Sequence, residues 1–292
     1  RCAKAMGGKH LAFDGMDNIA YRAAVKNVFQ QDSLPDFDIA NTNFLLSFGA
    51  DFLSTWVSPT RWAVGYGEFR QGEGRERGTF YQVDSRFSTT AASADQWVPI
   101  KPGWEGYLAL SLAYVIISEG LQAPGVDVSA LTDGRGVGAL DAFRPEVAGA
   151  RIGLPDHLRG ETPTEFIQNL AREFAGHRPS LAIGGGSAGA HTNGLFNLEA
   201  IYALNYLVGS VGAEGGVRFN PAPPIDDLPA SADVASLSDW FSAAEDLNGG
   251  RTKLVVVHQA DPAHGLPGAL NFRDSLNRDD LFIVSLSPFI DD

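Results

Sequence analysis

Short strand-like apolar runs alternate along this chain with stretches whose apolar residues recur at helical spacing, and that alternation is its strongest constraint on fold. Asn43–Phe48 reads as a buried strand, and Thr79–Val83, Ser180–Ile183, Leu254–Val257 and Leu281–Leu286 read as further strands. Between them lie helical stripes. Tyr21, Val25, Val28 and Phe29 follow Asp17, a candidate N-cap. Trp62, Tyr66 and Phe69 follow Ser58-Pro59, with proline at the first helical position. Leu108, Leu112, Val115 and Ile116 run to Gly120, and Phe166, Leu170 and Phe174 follow the capping box Thr162-Pro163-Thr164-Glu165. Leu198–Val208 is apolar nearly all round, which predicts a buried helix, and Leu237, Trp240, Phe241, Ala244 and Leu247 mark another. The alternation calls for an α/β fold with a parallel sheet covered by helices on both faces.

The stretch from about 120 to 160 is rich in Gly, Pro, Asp and Arg and reads as a long surface connection. Two α/β domains are therefore expected, residues 1–155 and 156–292, the second incomplete at its C-terminus. Arg1 is not a start methionine and the last residues follow an apolar run, so the chain reads as an internal piece of a larger protein.

Charge and cysteine usage exclude several functions. The 292 residues carry 22 Lys+Arg against 35 Asp+Glu, a formal net charge of −13. Nucleic acid and anionic membrane surfaces demand the opposite sign. The longest largely apolar run, Leu108–Ile117, interrupted at Ser111, falls far short of the ~20 residues of a bilayer span. The single cysteine, Cys2, excludes an internal disulfide framework and a four-cysteine iron–sulfur or zinc site.

Gly184-Gly185-Gly186-Ser187-Ala188-Gly189 leaves a strand and precedes a helix, the setting in which backbone N–H groups approach a phosphate. No second strand ending in an acid follows at the spacing an NAD site needs, so a phosphate-cradling or pterin-cradling loop, or a tight packing turn, remains. His191, Thr192, Asn193 and Gly194 come next as candidate ligand contacts. Asp84-Ser85-Arg86 ends a strand, where an acid beside an arginine can read a base or ribose edge or form a surface ion pair. Glu105 opens the Leu108 helix. Phe44–Asp51 parallels Leu254–Asp261, each a strand leaving into Ala-Asp, which suggests two nucleotide-type halves on one crevice.

Val83–Asp95, Trp97–Leu110, Gly189-Ala-His-Thr-Asn-Gly194 and the Gly209–Gly216 glycine repeat, in that order, resemble the molybdopterin oxidoreductase (dimethyl sulfoxide reductase) superfamily. The resemblance implies two dinucleotide-binding-like domains that cradle the guanosine halves of a bis-molybdopterin guanine dinucleotide. Carried over residue by residue, it places Gly49, Asp51, Asp84, Arg86 and Glu105 at one nucleotide, and Gly185, Gly186, His191, Asn193, Gly194 and Asp261 at the other or at the pterin. Three departures stand out: Ser85 for proline, Trp104-Glu105 for Thr-Asp, and Asp for Asn at 51 and 261. An added carboxylate beside a pyrophosphate is unfavourable.

Ser47–Leu53 with Trp56 and Ser58-Pro59 is most similar to the branch holding the large molybdoenzyme-like subunit of alternative complex III and related quinone reductase complexes. That branch implies a peripheral subunit on the periplasmic face of a bacterial membrane, acting in quinol oxidation. Its partners would be a quinol-binding membrane subunit and iron–sulfur and cytochrome c subunits, and any iron–sulfur clusters would lie outside this segment. It also implies a cofactor-free scaffold here; the competing expectation is a live molybdenum or tungsten enzyme with the metal on the pterin.

Overall fold

The computed structural model describes residues 2–12, 18–31, 33–71, 74, 76–221 and 234–289. The Asp17 cap and the Cys2 side chain lie outside what is described. The chain divides into two compact units, Ala20–Pro221 and a second formed by Arg1–Ile19 with Ala222–Asp292.

In order along the larger unit come α1 (Ile19–Phe29), β1 (Asp36–Phe37), β2 (Phe44–Phe48), α2 (Pro59–Gln71), β3 (Thr79–Asp84), α3 (Thr89–Ala92), β4 (Gln96–Pro99) and α4 (Glu105–Ser118). Then follow α5 (Pro145–Ile152), α6 (Pro163–Gly176), β5 (Ser180–Gly184), α7 (Gly194–Leu207) and β6 (Val217–Arg218). Four strands make one sheet in the order β4-β3-β2-β5, all parallel, with Phe48 level with both Val83 and Gly184. Every residue of β2 and β5 is buried, so both faces of the sheet are covered. β1 and β6 form a short antiparallel pair.

The boundary expected at 155/156 falls inside this unit, because β5 pairs directly with β2. The connection from 120 to 160 runs over the surface for much of 124–144, but its later part is packed structure rather than a linker. Pro145 starts α5, and Ala148 and Ile152, one turn apart, are fully buried. Ile152 O also accepts from Lys101 N at 2.8 Å. The capping box forms as expected: Thr162 Oγ1 accepts from Glu165 N at 3.3 Å and Glu165 Oε2 accepts from Thr162 N at 2.9 Å.

β5 is an edge strand, and α7 satisfies that edge with side chains. Asn205 Nδ2 donates to Ala182 O and Asn205 Oδ1 accepts from Ala182 N, both at 2.9 Å, while Tyr202 OH donates to Gly184 O at 2.6 Å. These polar groups explain how a nearly all-apolar helix keeps one register against the strand.

In the smaller unit, β7 (Leu254–His258) and β8 (Phe282–Leu286) run parallel, and α8 (Leu237–Asn248) packs Trp240 against Phe272 at 5.6 Å between ring centroids. Leu254, Val256, Phe282 and Leu286 stay exposed. Helices on both faces are therefore not found in this unit among the described residues, and a second complete dinucleotide-type domain is not formed by them. No helix of the described residues is long and apolar enough to cross a membrane.

Candidate functional site

The order β4-β3-β2-β5 reverses direction between β2 and β5, which puts a crevice beyond the carboxyl ends of those two strands. The loops assigned from sequence to two nucleotides meet at this one place. Gly185 N donates to Phe48 O at 3.1 Å and Ser187 N to Gly49 O at 3.3 Å. Gly49 has φ 64°, and a Cβ there would stand 2.6 Å from Ala188 N and 2.9 Å from Gly185 O. A Cβ on Gly186 would stand 2.5 Å from Gly49 O. A Cβ on Gly185 would come within 2.1 Å of Trp56 Nε1. Trp56 is buried, stacked on Trp62 at 5.8 Å and tilted against Tyr21 and Phe37. What these glycines admit is the neighbouring loop and an indole.

Three carboxylates line the base. Asp51 is 8% exposed; its Oδ2 accepts from Arg86 Nη2 at 3.0 Å and its Oδ1 from Thr90 Oγ1 at 2.5 Å. Asp84 is buried; its Oδ1 accepts from Arg86 N at 3.1 Å and from Ser187 Oγ at 3.3 Å. Glu105, the first residue of α4, is fully buried, and its Oε1 has no hydrogen-bond partner. Burial pushes its carboxyl up to about 7, reinforced by the charge of Asp84 and opposed by the amides of residues 105 and 103.

Asn197, one turn into α7 and fully buried, ties the parts together. Its Nδ2 donates to Glu105 Oε2 at 3.2 Å and to Ala188 O at 3.1 Å. Its Oδ1 accepts from Gly106 N at 3.1 Å and from Asn193 Nδ2 at 3.3 Å. Asn193 also donates to Gly103 O at 2.7 Å. Beside this clamp lies an open groove of about 400 Å³ lined by Gly103, Trp104, Tyr107, His191, Asn193 and Phe196. Gly194, the first residue of α7, donates to His191 O at 2.8 Å, and a Cβ on it would stand 2.1 Å from Gly189 O.

Ten of the eleven residues singled out from sequence lie in this larger unit: Gly49, Asp51, Asp84, Arg86, Glu105, Gly185, Gly186, His191, Asn193 and Gly194. Asp261 belongs to the smaller unit. There it caps α9 (Pro262–Gly265), accepting from His264 N at 3.2 Å and pairing with its Nδ1 at 3.0 Å. Against the cost of burial, these bonds hold its carboxyl below the ordinary value. Sequence reading missed the parts played by Trp56, Thr90, Ser187 and Asn197. Asn197 left a signal as an amide one turn after Asn193 in a mostly apolar helix, while Trp56, Thr90 and Ser187 stood inside the motifs named above.

The residues present do not fit a guanine dinucleotide pyrophosphate at this crevice. Arg86 is paired with Asp51, the buried carboxylates Asp51 and Asp84 line the crevice with Glu105 beside them, and the glycine approaches are filled by protein.

No family model matches the chain. Individual relatives do. The chain is 30% identical over 263 residues to the molybdopterin-binding-like subunit of menaquinone reductase from Nitratidesulfovibrio vulgaris, covering 88% of this chain and 36% of that protein. It is 28% identical over 240 residues to the molybdopterin-containing subunit of arsenate respiratory reductase from Chrysiogenes arsenatis, covering 73% and 27%. It is 29% identical over 197 residues to dimethyl sulfoxide reductase of Escherichia coli, covering 61% and 23%. The chain thus spans about a quarter to a third of these relatives' lengths. Among solved structures it shares the fold of acetylene hydratase from Pelobacter acetylenicus, with a TM-score of 0.51 and 21% identity over 66% of this chain and 25% of that one. With the ordered motifs above, these similarities establish that the chain belongs to the molybdopterin oxidoreductase (dimethyl sulfoxide reductase) superfamily.

Proposed function

We propose that this segment is a cofactor-free scaffold within a molybdoenzyme-like subunit of a membrane-associated quinol:acceptor oxidoreductase of the alternative complex III type. The observation that carries this reading is the closed switch point: loop packed on loop at Gly49 and Gly186, Trp56 against Gly185, and the buried carboxylates Asp51 and Asp84 with Arg86 paired to Asp51. Similarity to a menaquinone reductase subunit supports the quinone-linked setting. In this reading electrons travel through iron–sulfur and cytochrome c subunits at the periplasmic face, and the quinol binds a membrane subunit. The segment's own work is to hold a rigid α/β surface among those subunits.

The second reading, a live bis-molybdopterin guanine dinucleotide enzyme, draws support from relatives whose names include a molybdopterin-containing subunit. The two readings separate in cells blocked in molybdopterin synthesis, which lack both the molybdenum and the tungsten form of the cofactor. Quinol-dependent reduction of the acceptor by the purified complex should match that from unblocked cells under the scaffold reading. A loss of more than about tenfold would favour the live enzyme.

A further inference from the structure

Glu105 is a carboxyl whose burial outweighs the two backbone amides that favour its charge. It is fully buried, its Oε1 has no partner, and its neighbour across the crevice is another carboxylate, Asp84. Its other oxygen accepts from Asn197 Nδ2 at 3.2 Å, and the amides of residues 105 and 103 also favour the charged form, though less than burial opposes it. That amide also grips the glycine loop at Ala188 O and the start of α4 at Gly106 N, so one side chain spans both walls beside the groove. We propose that Glu105 and Asn197 form a proton-operated clamp, which holds the Gly103–Gly106 turn against the glycine loop while Glu105 is neutral and releases it when Glu105 ionises.

The other charged groups around α4 leave Asp84 as the principal influence. From α7, Glu199 turns away to Asn27 at 2.7 Å. Lys101 is bonded to Arg151 O at 3.1 Å, and Arg151 itself to Tyr107 OH at 3.2 Å. Asp141 pairs with Arg144 at 2.9 Å, and Arg172 with Glu119 at 2.7 Å at the far end of α4. Arg86 is held by Asp51. His191 faces the groove from the glycine loop and is the titratable group to be separated from Glu105 by experiment.

The sign follows from burial. A folded-state pKa raised from the ordinary 4.5 to about 7 means that the folded form holds its proton more tightly than the unfolded chain. The clamp is intact below that range and loosens as pH rises through about 7, because an anion left beside Asp84 with one oxygen unpartnered must reach water.

The test is hydrogen–deuterium exchange of the full-length subunit, corrected for intrinsic pH dependence, in peptides covering 102–107 and 186–194. Wild type should lose about tenfold protection between about pH 6 and pH 8. Glu105→Gln should keep its low-pH protection throughout, and His191→Gln should behave as wild type. An unchanged pH response in Glu105→Gln, a flat wild type, or a response abolished by His191→Gln would each overturn the proposal. Should Glu105→Gln not fold, infrared spectroscopy of wild type decides. A protonated-carboxyl band at about pH 6 that bleaches by about pH 8.5 supports the clamp, and its absence at low pH refutes it.

Discussion

Gly185→Ala is expected to lower the unfolding free energy by about 3 kcal/mol, about 10 °C in Tm. The added methyl would stand 2.1 Å from Trp56 Nε1 and 2.5 Å from Cε2 of the same indole. That ring cannot step aside, because it is stacked on Trp62 and packed against Tyr21 and Phe37. Gly185 has φ 172°, an extended conformation any residue adopts, so the cost is steric and comes from Trp56. The prediction is therefore a coupling. In a Trp56→Leu background, itself destabilised by about 3 kcal/mol, Gly185→Ala should cost less than about 1 kcal/mol. Denaturant melts of the four proteins measure it. Equal costs in both backgrounds would mean that the glycine is kept for something other than the indole, a ligand included.

Asn197→Ala is expected to cost about 3 kcal/mol. The substitution strips a donor from Glu105 Oε2 and leaves Gly106 N–H and Ala188 O without their partner. All three lie in a buried setting, where an unmade hydrogen bond is costly. Asn197→Asp is nearly isosteric but places a further carboxylate against Glu105 and removes the donor to Ala188 O, so it should be at least as harmful at neutral pH. Urea unfolding at about pH 7 checks both. A loss below about 1 kcal/mol for Asn197→Ala would show that the two walls are held by other contacts.

The parts of this structure that depend on near neighbours could be read from the chain. Phe44–Phe48 is apolar except for Ser47 and is a strand buried at every residue. Thr162 and Glu165, three apart, cap α6 as their spacing implies. The superfamily was legible too, through short motifs in a fixed order. What could not be read was which strand lies beside which. β5 follows β4 by some eighty residues, and nothing in Ser180–Gly184 names β2 as its neighbour, so one sheet was divided into two domains. The composition of 120–160 reinforced that error. Its glycines and prolines suggested a linker, but Pro145 at the start of α5 and buried Ala148 and Ile152 carry a packed helix. The repeat between Ala50-Asp51 and Ala260-Asp261 shows the limit of local likeness. Asp51 holds Arg86 and Thr90 in a buried crevice, whereas Asp261 caps a short, half-exposed helix in the other unit. The two carboxylates share a sequence setting and differ in everything the fold adds.

The charge balance gains a location in the same way. The whole chain carries −13, and two of its carboxylates, Asp51 and Asp84, are buried beyond the carboxyl ends of β2 and β3, with Glu105 adding a third charge only once it ionises. Bringing a pyrophosphate there would set like charges together in a poorly solvated place, where their repulsion is least screened.

The most direct test of the emptied switch point is the content of the purified full-length subunit. Molybdenum and tungsten are measured by inductively coupled plasma mass spectrometry, and guanine nucleotide by chromatography after acid release, each per mole of protein. The closed crevice predicts less than about a tenth of an equivalent of either metal and of guanine nucleotide. One equivalent of metal with two of guanine nucleotide would contradict it.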